Sequence, residues 1–393
     1  MSGTRHKPTL LLFLAGDKPE GSPLERLVAG AQNAATYDLL MHAADSGAFE
    51  RAVLVTEDDE AARAASALPG GPPVEVLNEG PREAFHFGRT LAAAVDALGL
   101  ERVVYAGGGA LPLAGADTLE RLALAVSGNS PCVYTNNLFS ADVAAFYPAS
   151  ALKRIDLPAV DNDLAWMLHY RAGLPYAAAP RTHETQFDID TPTDVAVLRH
   201  ATTSAPLQAR VGPYLGAYLE GSMGKFAELS TAVERAAGVM ATRRAQVLFA
   251  GRLSALSWRR LELNLPSQTR VISEERGMRA SGREARGEAR SVLGLYADLA
   301  GPDGLVRALE QTCDAAFLDT RVLFAHRRLS PARADRFASD ALRPQDVSDP
   351  WVRELTKALA GAAIPVVPGG HSLMSGGVWA LSEQVRGGRT AAV

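Results

Sequence analysis

The chain has 393 residues, 47% of them hydrophobic, and a formal net charge of −4, a length that exceeds one ordinary core and suggests two domains. So slight a negative balance supplies no global field for nucleic acid or an anionic membrane, and neither is an expected partner. The two cysteines, Cys132 and Cys313, lie far apart, which fits a reducing cytoplasm better than a disulfide framework.

The start, MSGTRHKPTLLLFLAGDKPE, carries a basic stretch and a short apolar run, but Asp17, Lys18 and Pro19 follow where a leader would have a small-residue cleavage site. It reads as a buried first strand. No stretch approaches the roughly 20 apolar residues of a membrane span. Strand-length apolar runs follow at Thr9–Ala15, Arg51–Thr56, Val74–Leu77, Arg102–Ala106 and Cys132–Thr135, with helical spacing at Pro23–Asp45, Asp59–Leu68, Arg82–Leu98 and Ala116–Val126. Such alternation predicts βαβ crossovers around a mostly parallel, buried sheet, with ligands at the carboxyl ends of the strands. Short strands are then expected at Ala144–Tyr147 and Gln186–Ile189, and helices at Asp161–Ala172 and Thr193–His200.

The stretch ATTSAPLQARVGP, residues 201–213, has no clear period and is the expected boundary between domains 1–205 and 206–393. Beyond it, helical patterns near Tyr214–Glu220 and Lys225–Met240 give way to strand candidates at Gln246–Ala250, Arg270–Ser273, Ala315–Leu318, Val322–Ala325 and Ile364–Val367. Helices are expected over Leu253–Leu263, Ala285–Ala300, Gly304–Cys313, Trp351–Ala360 and Ser372–Val385, making a second α/β domain.

The densest motif is FDIDTPTDVAVL. Thr191 can cap a helix, Pro192 suits its first turn, and Asp194 near that end is favoured by the helix dipole. Capping leaves Asp188 and Asp190 unexplained. With the strand and helix order before it, this stretch resembles the molybdenum-cofactor guanylyltransferase and phospholactate guanylyltransferase group of nucleotidyltransferases, over roughly residues 8–200. The resemblance implies a nucleotide-diphospho-sugar transferase-like (GT-A type) α/β fold with a mixed, mostly parallel sheet. It also implies a nucleoside triphosphate and a small phosphorylated acceptor as partners, and Mg²⁺ held near the nucleotide phosphates by Asp190 with its neighbour Asp188.

Two signatures of that group are altered. Its first strand runs into a glycine-rich phosphate loop; here Leu14, Ala15 and Gly16 remain, Asp17 takes the next place, and Lys18 and Arg26 are the nearby cations. Its Gly-Asp-x-Pro-Leu pattern appears as Gly109-Ala110-Leu111-Pro112, and an alanine cannot ligate a hard cation. Gly107, Gly108 and Gly109 form either a tight turn or a place for close ligand approach. Asn136 and Asp142 in TNNLFSAD are further nucleotide-side candidates, Asp142 as a substitute carboxylate; Asn162 and Asp163 read as a helix start.

In the second half the strand ends carry Arg252, then Glu275 and Arg276, Asp319 and Arg321, and the loop Gly369, Gly370, His371 and Ser372. A parallel sheet would bring these to one anion-binding crevice, with His371 or His326 able to move a proton; turns and surface ion pairs are the alternative. The expected activity is nucleotidyl transfer from a nucleoside triphosphate to a phosphorylated small molecule with release of pyrophosphate, catalysed with Asp188 and Asp190. The alternatives are a degenerate domain that binds a nucleotide or sugar phosphate without turnover, or serves in assembly, and an enzyme acting on an anionic substrate through the carboxyl half. A homo-oligomer is left open.

Overall fold

The structure is a computed structural model that describes residues 6–15, 20–69, 74–77, 85–222 and 224–390. The chain divides into an amino-terminal unit (1–17, 29–188 and 211–216) and a carboxyl-terminal unit (18–28, 189–210 and 217–393). The division between Asp188 and Ile189 assigns residues 189–205, on the amino side of the expected boundary, to the carboxyl-terminal unit.

The amino-terminal unit holds β1 (Thr9–Phe13), β2 (Arg51–Val55), β3 (Val74–Leu77), β4 (Val103–Gly107), β5 (Cys132–Thr135), β6 (Val143–Tyr147) and β7 (Tyr176–Ala178). They form one seven-stranded sheet of order β3-β2-β1-β4-β6-β5-β7. Strands β1 to β4 pair in parallel, β6 is antiparallel to both β4 and β5, and β7 is parallel to β5. This is the mixed, mostly parallel arrangement expected. Because side chains alternate across a strand, each apolar strand feeds two cores. Leu11, Phe13, Val53, Val55, Val103 and Tyr105 pack on one face, while Leu10, Leu12, Ala52, Leu54, Val104 and Ala106 pack on the other. Burial on both faces explains why these strands read as unbroken apolar runs.

The carboxyl-terminal unit holds a four-stranded sheet, order β11-β10-β8-β9, from β8 (Gln246–Gly251), β9 (Gln268–Ser273), β10 (Ala315–Asp319) and β11 (Val366–Gly369). Every pairing is parallel, and the register sets Gly251 level with Ser273 and Asp319 level with Gly369. Phe249 and Phe317 stack at 5.1 Å between ring centroids on the central strands.

Several local expectations are corrected. Val322–Ala325 is not a strand: it lies in the helix Thr320–His326, with Val322, Leu323, Phe324 and Ala325 all buried. A short apolar run buried all round carries no period to separate helix from strand. Gln186–Ile189 is not a strand either, since Gln186 ends the helix His183–Gln186 and only Asp188 makes a single bridge. The two helices expected over 285–313 are present within Val292–Thr312, parted by a kink where Gly301 (φ 73°) leaves helical geometry before Pro302; only the start differs, residues 285–291 being non-helical. A helix at Arg333–Asp340 was not expected.

Candidate functional sites

At the carboxyl ends of β1 and β4 the register sets Phe13 beside Gly107. The Gly108 N–H then donates to the Phe13 carbonyl at 2.6 Å. A Cβ on Gly108 would lie 2.8 Å from Leu14 Cδ1 and 3.1 Å from that carbonyl, so only glycine allows the approach. Gly109 (φ 93°) turns the chain, and the Ala110 N–H closes the turn onto the Gly107 carbonyl at 3.1 Å. The glycine run is thus a tight turn required by its own packing. Ala15, the described residue of the first loop, is exposed; Gly16, with Asp17 and Lys18, lies outside the described residues.

Ala110 is 1% exposed and packs in one of the two cores. It forms an antiparallel bridge with Asp188, and the Leu111 N–H donates to the Phe187 carbonyl at 3.3 Å. The Gly-Ala-Leu-Pro turn and the segment before the Thr-Pro motif are therefore joined. Asp188 is half-buried. Asn136 is buried and fully engaged: its Nδ2 donates to Asp142 Oδ2 at 2.9 Å and to the Thr185 carbonyl at 3.0 Å. It holds Asp142 in place.

The Tyr105 hydroxyl, in the middle of β4, donates to Asp161 Oδ2 at 2.8 Å. Burial, then Asp161, Asp142 and Asp188, drives its pKa well above the usual tyrosine range. Tyr105 and Asp161 were not singled out in the sequence, where the tyrosine is one aromatic in an apolar strand and the aspartate a helix start. Three carboxylates thus act on one buried hydroxyl, yet among the described residues no group of three histidines, cysteines or carboxylates could hold a metal ion. Magnesium is commonly held by one or two carboxylates together with substrate phosphates, and Asp188 is the carboxylate next to Ala110 here.

In the carboxyl-terminal unit, Asp190 is exposed and its N–H donates to Asp194 Oδ2 at 3.1 Å. The motif forms the expected cap: Thr191 caps the helix Pro192–Ala201 and shares a capping box with Asp194. Asp194 itself differs from expectation. It is fully buried, its Oδ1 has no hydrogen-bond partner, and burial, with Asp190 adding, pushes its pKa up to about 8. A neutral acid at the helix start, and not a dipole-stabilised carboxylate, is the result.

The strand-end residues of this unit come together in part. Arg252 forks onto Asp319, Nε to Oδ2 at 2.5 Å and Nη2 to Oδ1 at 3.1 Å. Burial raises the Asp319 carboxyl, but Arg252 outweighs it and holds the group below its ordinary range. Arg321 pairs with Asp340, Nη1 to Oδ1 at 2.9 Å, a partner supplied by the unexpected helix Arg333–Asp340. His371 lies within electrostatic reach of Arg252, Asp319 and Arg276, and burial, then Arg252, pushes its pKa down to about 4. It is neutral near pH 7, with a buried Nδ1 that has no partner.

Other expected members point elsewhere. Glu275 binds Arg283 (Nη2 to Oε1, 2.8 Å) and the Arg290 N–H at 2.8 Å. A Cβ on Gly369 would meet Leu373 Cδ2 at 2.9 Å and Thr193 Cγ2 at 3.2 Å, and one on Gly370 would meet Thr191 Cγ2 at 3.5 Å. The glycine pair packs against the helix start. Ser372 is buried, and His326 accepts at Nδ1 from the Ser291 N–H at 3.0 Å and donates from Nε2 to Asp298 Oδ2 at 3.2 Å.

No family model matches the chain, and no curated protein matches it. Among solved structures it is similar to a protein described as a nucleotide-diphospho-sugar transferase from Desulfovibrio desulfuricans G20, at 16% identity and TM-score 0.38, covering 55% of this chain and 94% of that one. A cytidylyltransferase from Leptospira borgpetersenii serovar Hardjo-bovis is similar at 15% identity and TM-score 0.37, covering 56% and 95%. So is a 4-diphosphocytidyl-2C-methyl-D-erythritol synthase at 16% identity and TM-score 0.33, covering 50% and 98%.

Proposed function

We propose that the amino-terminal unit binds a nucleoside triphosphate and transfers its nucleotidyl group to a phosphorylated small molecule, releasing pyrophosphate. The observation that carries this reading is the Ala110–Asp188 bridge, which keeps a carboxylate beside the turn whose own metal position has become alanine, at the carboxyl ends of parallel strands. The turn Gly107–Ala110 and the end of β1 form the floor for the nucleotide. An acceptor phosphate oxygen attacks the α-phosphorus as the bond to the pyrophosphate oxygen breaks. The chain contributes by positioning the two phosphates for in-line displacement. A magnesium ion carried in with the triphosphate would be held by Asp188 and would supply charge neutralisation at the phosphates.

The burial of Ala110 favours a second reading, a domain that binds a nucleotide without turnover. Calorimetry with each nucleoside triphosphate, with and without Mg²⁺, followed by a pyrophosphate-release assay with sugar phosphates, separates the two. Heat that falls in Asp188→Asn, with pyrophosphate released, supports transfer. Heat without release at any acceptor supports the binding domain, and no heat sinks both.

A further inference from the structure

In the carboxyl-terminal unit two arginines meet at one oxygen. The Gly287 carbonyl accepts from Arg290 Nη1 at 3.0 Å and from Arg328 Nε at 3.3 Å, so the two guanidinium groups stand within two hydrogen bonds of each other. The backbone allows this approach: a Cβ on Gly287 (φ 63°) would lie 3.1 Å from Arg328 Nε and 3.3 Å from its Cδ, and the arginine stem lies across bare glycine. The carboxylates nearby are taken by other groups. Glu288 holds Arg286 at 2.9 Å, Glu284 holds Arg279 at 2.9 Å, and Asp298 takes Arg327. Glu275 takes the Arg283 guanidinium and only the backbone N–H of Arg290, each at 2.8 Å. Glu274 accepts from Ser291 Oγ and, at 2.9 Å, from the Val292 N–H. Arg290 and Arg328 are both exposed, and among the described residues their guanidinium groups touch only the Gly287 and Ala289 carbonyls. Both line a cleft of about 470 Å³ with Arg327, Asp298 and His326. His326 accepts at Nδ1 from the Ser291 N–H, and a ring nitrogen that accepts carries no proton. With Arg327 balanced by Asp298, this cleft keeps two positive charges. Arg328 also lines a second cleft of about 740 Å³, with Ala325, Leu329 and Ser330 in its wall.

Two like charges that share one carbonyl repel each other, and an anion that bridges them reverses the sign of the interaction. We propose that Arg290 and Arg328 bind the phosphate dianion of a small phosphorylated ligand whose body lies in the larger cleft beside Arg328. Arginine presents five donors in a planar fork, and each of these two commits a single nitrogen to protein carbonyls, which leaves the rest for phosphate oxygens. Two unpaired charges match a dianion better than a monocarboxylate. This site lies wholly in the carboxyl-terminal unit and stands independently of the nucleotide reading, which concerns the other unit.

Calorimetry on the full chain with glucose 6-phosphate, inorganic phosphate and acetate tests it. Heat is expected with glucose 6-phosphate, and weaker or no binding with acetate. Tighter binding of glucose 6-phosphate than of inorganic phosphate supports an ester whose body fills the larger cleft; equal or tighter binding of inorganic phosphate assigns the free ion and overturns the role of that cleft. Arg290→Gln and Arg328→Asn are each expected to weaken phosphate binding about tenfold or more, the loss of roughly one charge-assisted contact. Neither variant removes an ion pair, and asparagine tolerates the left-handed backbone of Arg328 (φ 57°). Where Arg328→Asn does not fold, Arg290→Gln decides. Arg307→Gln, at an exposed arginine that lines neither cleft, leaves binding unchanged. No heat with either phosphate, acetate bound as tightly as phosphate, or full affinity in Arg290→Gln overturns the proposal.

Discussion

Asp188 is paired with Ala110 by an antiparallel bridge, so the one acid of the Phe-Asp-Ile-Asp run in the amino-terminal unit stands beside the alanine of the Gly-Ala-Leu-Pro turn. The relationship makes Ala110→Asp a sharp test. The new carboxyl enters a 1% exposed position within a core, where an ionised group is strongly disfavoured. A loss of about 3 kcal/mol or more in urea denaturation is expected. If the variant folds, triphosphate binding should gain Mg²⁺ dependence in calorimetry, because two carboxylates then share one turn.

Stability should fall as pH rises through the neutral range, and Asp194 should be the cause. Its folded pKa is raised to about 8, against about 3.9 in an unfolded chain. Between those values the folded state holds a proton that the unfolded state has released, so the group's contribution is complete at low pH and is lost progressively up to pH 8. Unfolding free energies from urea titrations at pH 5 and pH 8 should differ by roughly a few kcal/mol from this group. Asp194→Asn keeps an acceptor for the Thr191 N–H and should flatten the profile; an equally steep profile in that variant would refute the assignment.

The Arg252–Asp319 fork should behave as a buried ion pair. Asp319→Asn leaves a guanidinium without its charge partner and should cost about 3–5 kcal/mol, while the double change Arg252→Met with Asp319→Leu should recover most of that loss. A double-mutant cycle in urea measures the coupling. Near-additive losses would show that the two side chains act separately.

Gly251 makes the fork possible. Its φ is 127°, and a Cβ there would lie 2.3 Å from Asp319 Cβ. Gly251→Ala should therefore separate β8 from β10 at their carboxyl ends and cost about 3 kcal/mol or more by thermal or urea unfolding. Ala250→Gly, one residue earlier on the same strand, should cost less, since it only removes a methyl group and stiffness.

Local chemistry was legible in the sequence. Unbroken apolar runs marked β1, β2, β4, β8 and β10, because a strand buried on both faces has no polar side to interrupt it. Thr191, Pro192 and Asp194 announced a helix start, since capping depends on residues three apart. Even the loss at Ala110 was visible against its neighbours. The tertiary structure alone decided the environment of those residues. Asp194 looked like a charged cap and became a neutral acid because packing removed its water, which no spacing encodes. Val322–Ala325 became a helix because burial on every side erased its period. Arg321 met Asp340, and Ala110 met Asp188, across 19 and 78 positions. Such pairings depend on how strands and helices close over long loops, while the sequence displays only what adjacent residues prefer.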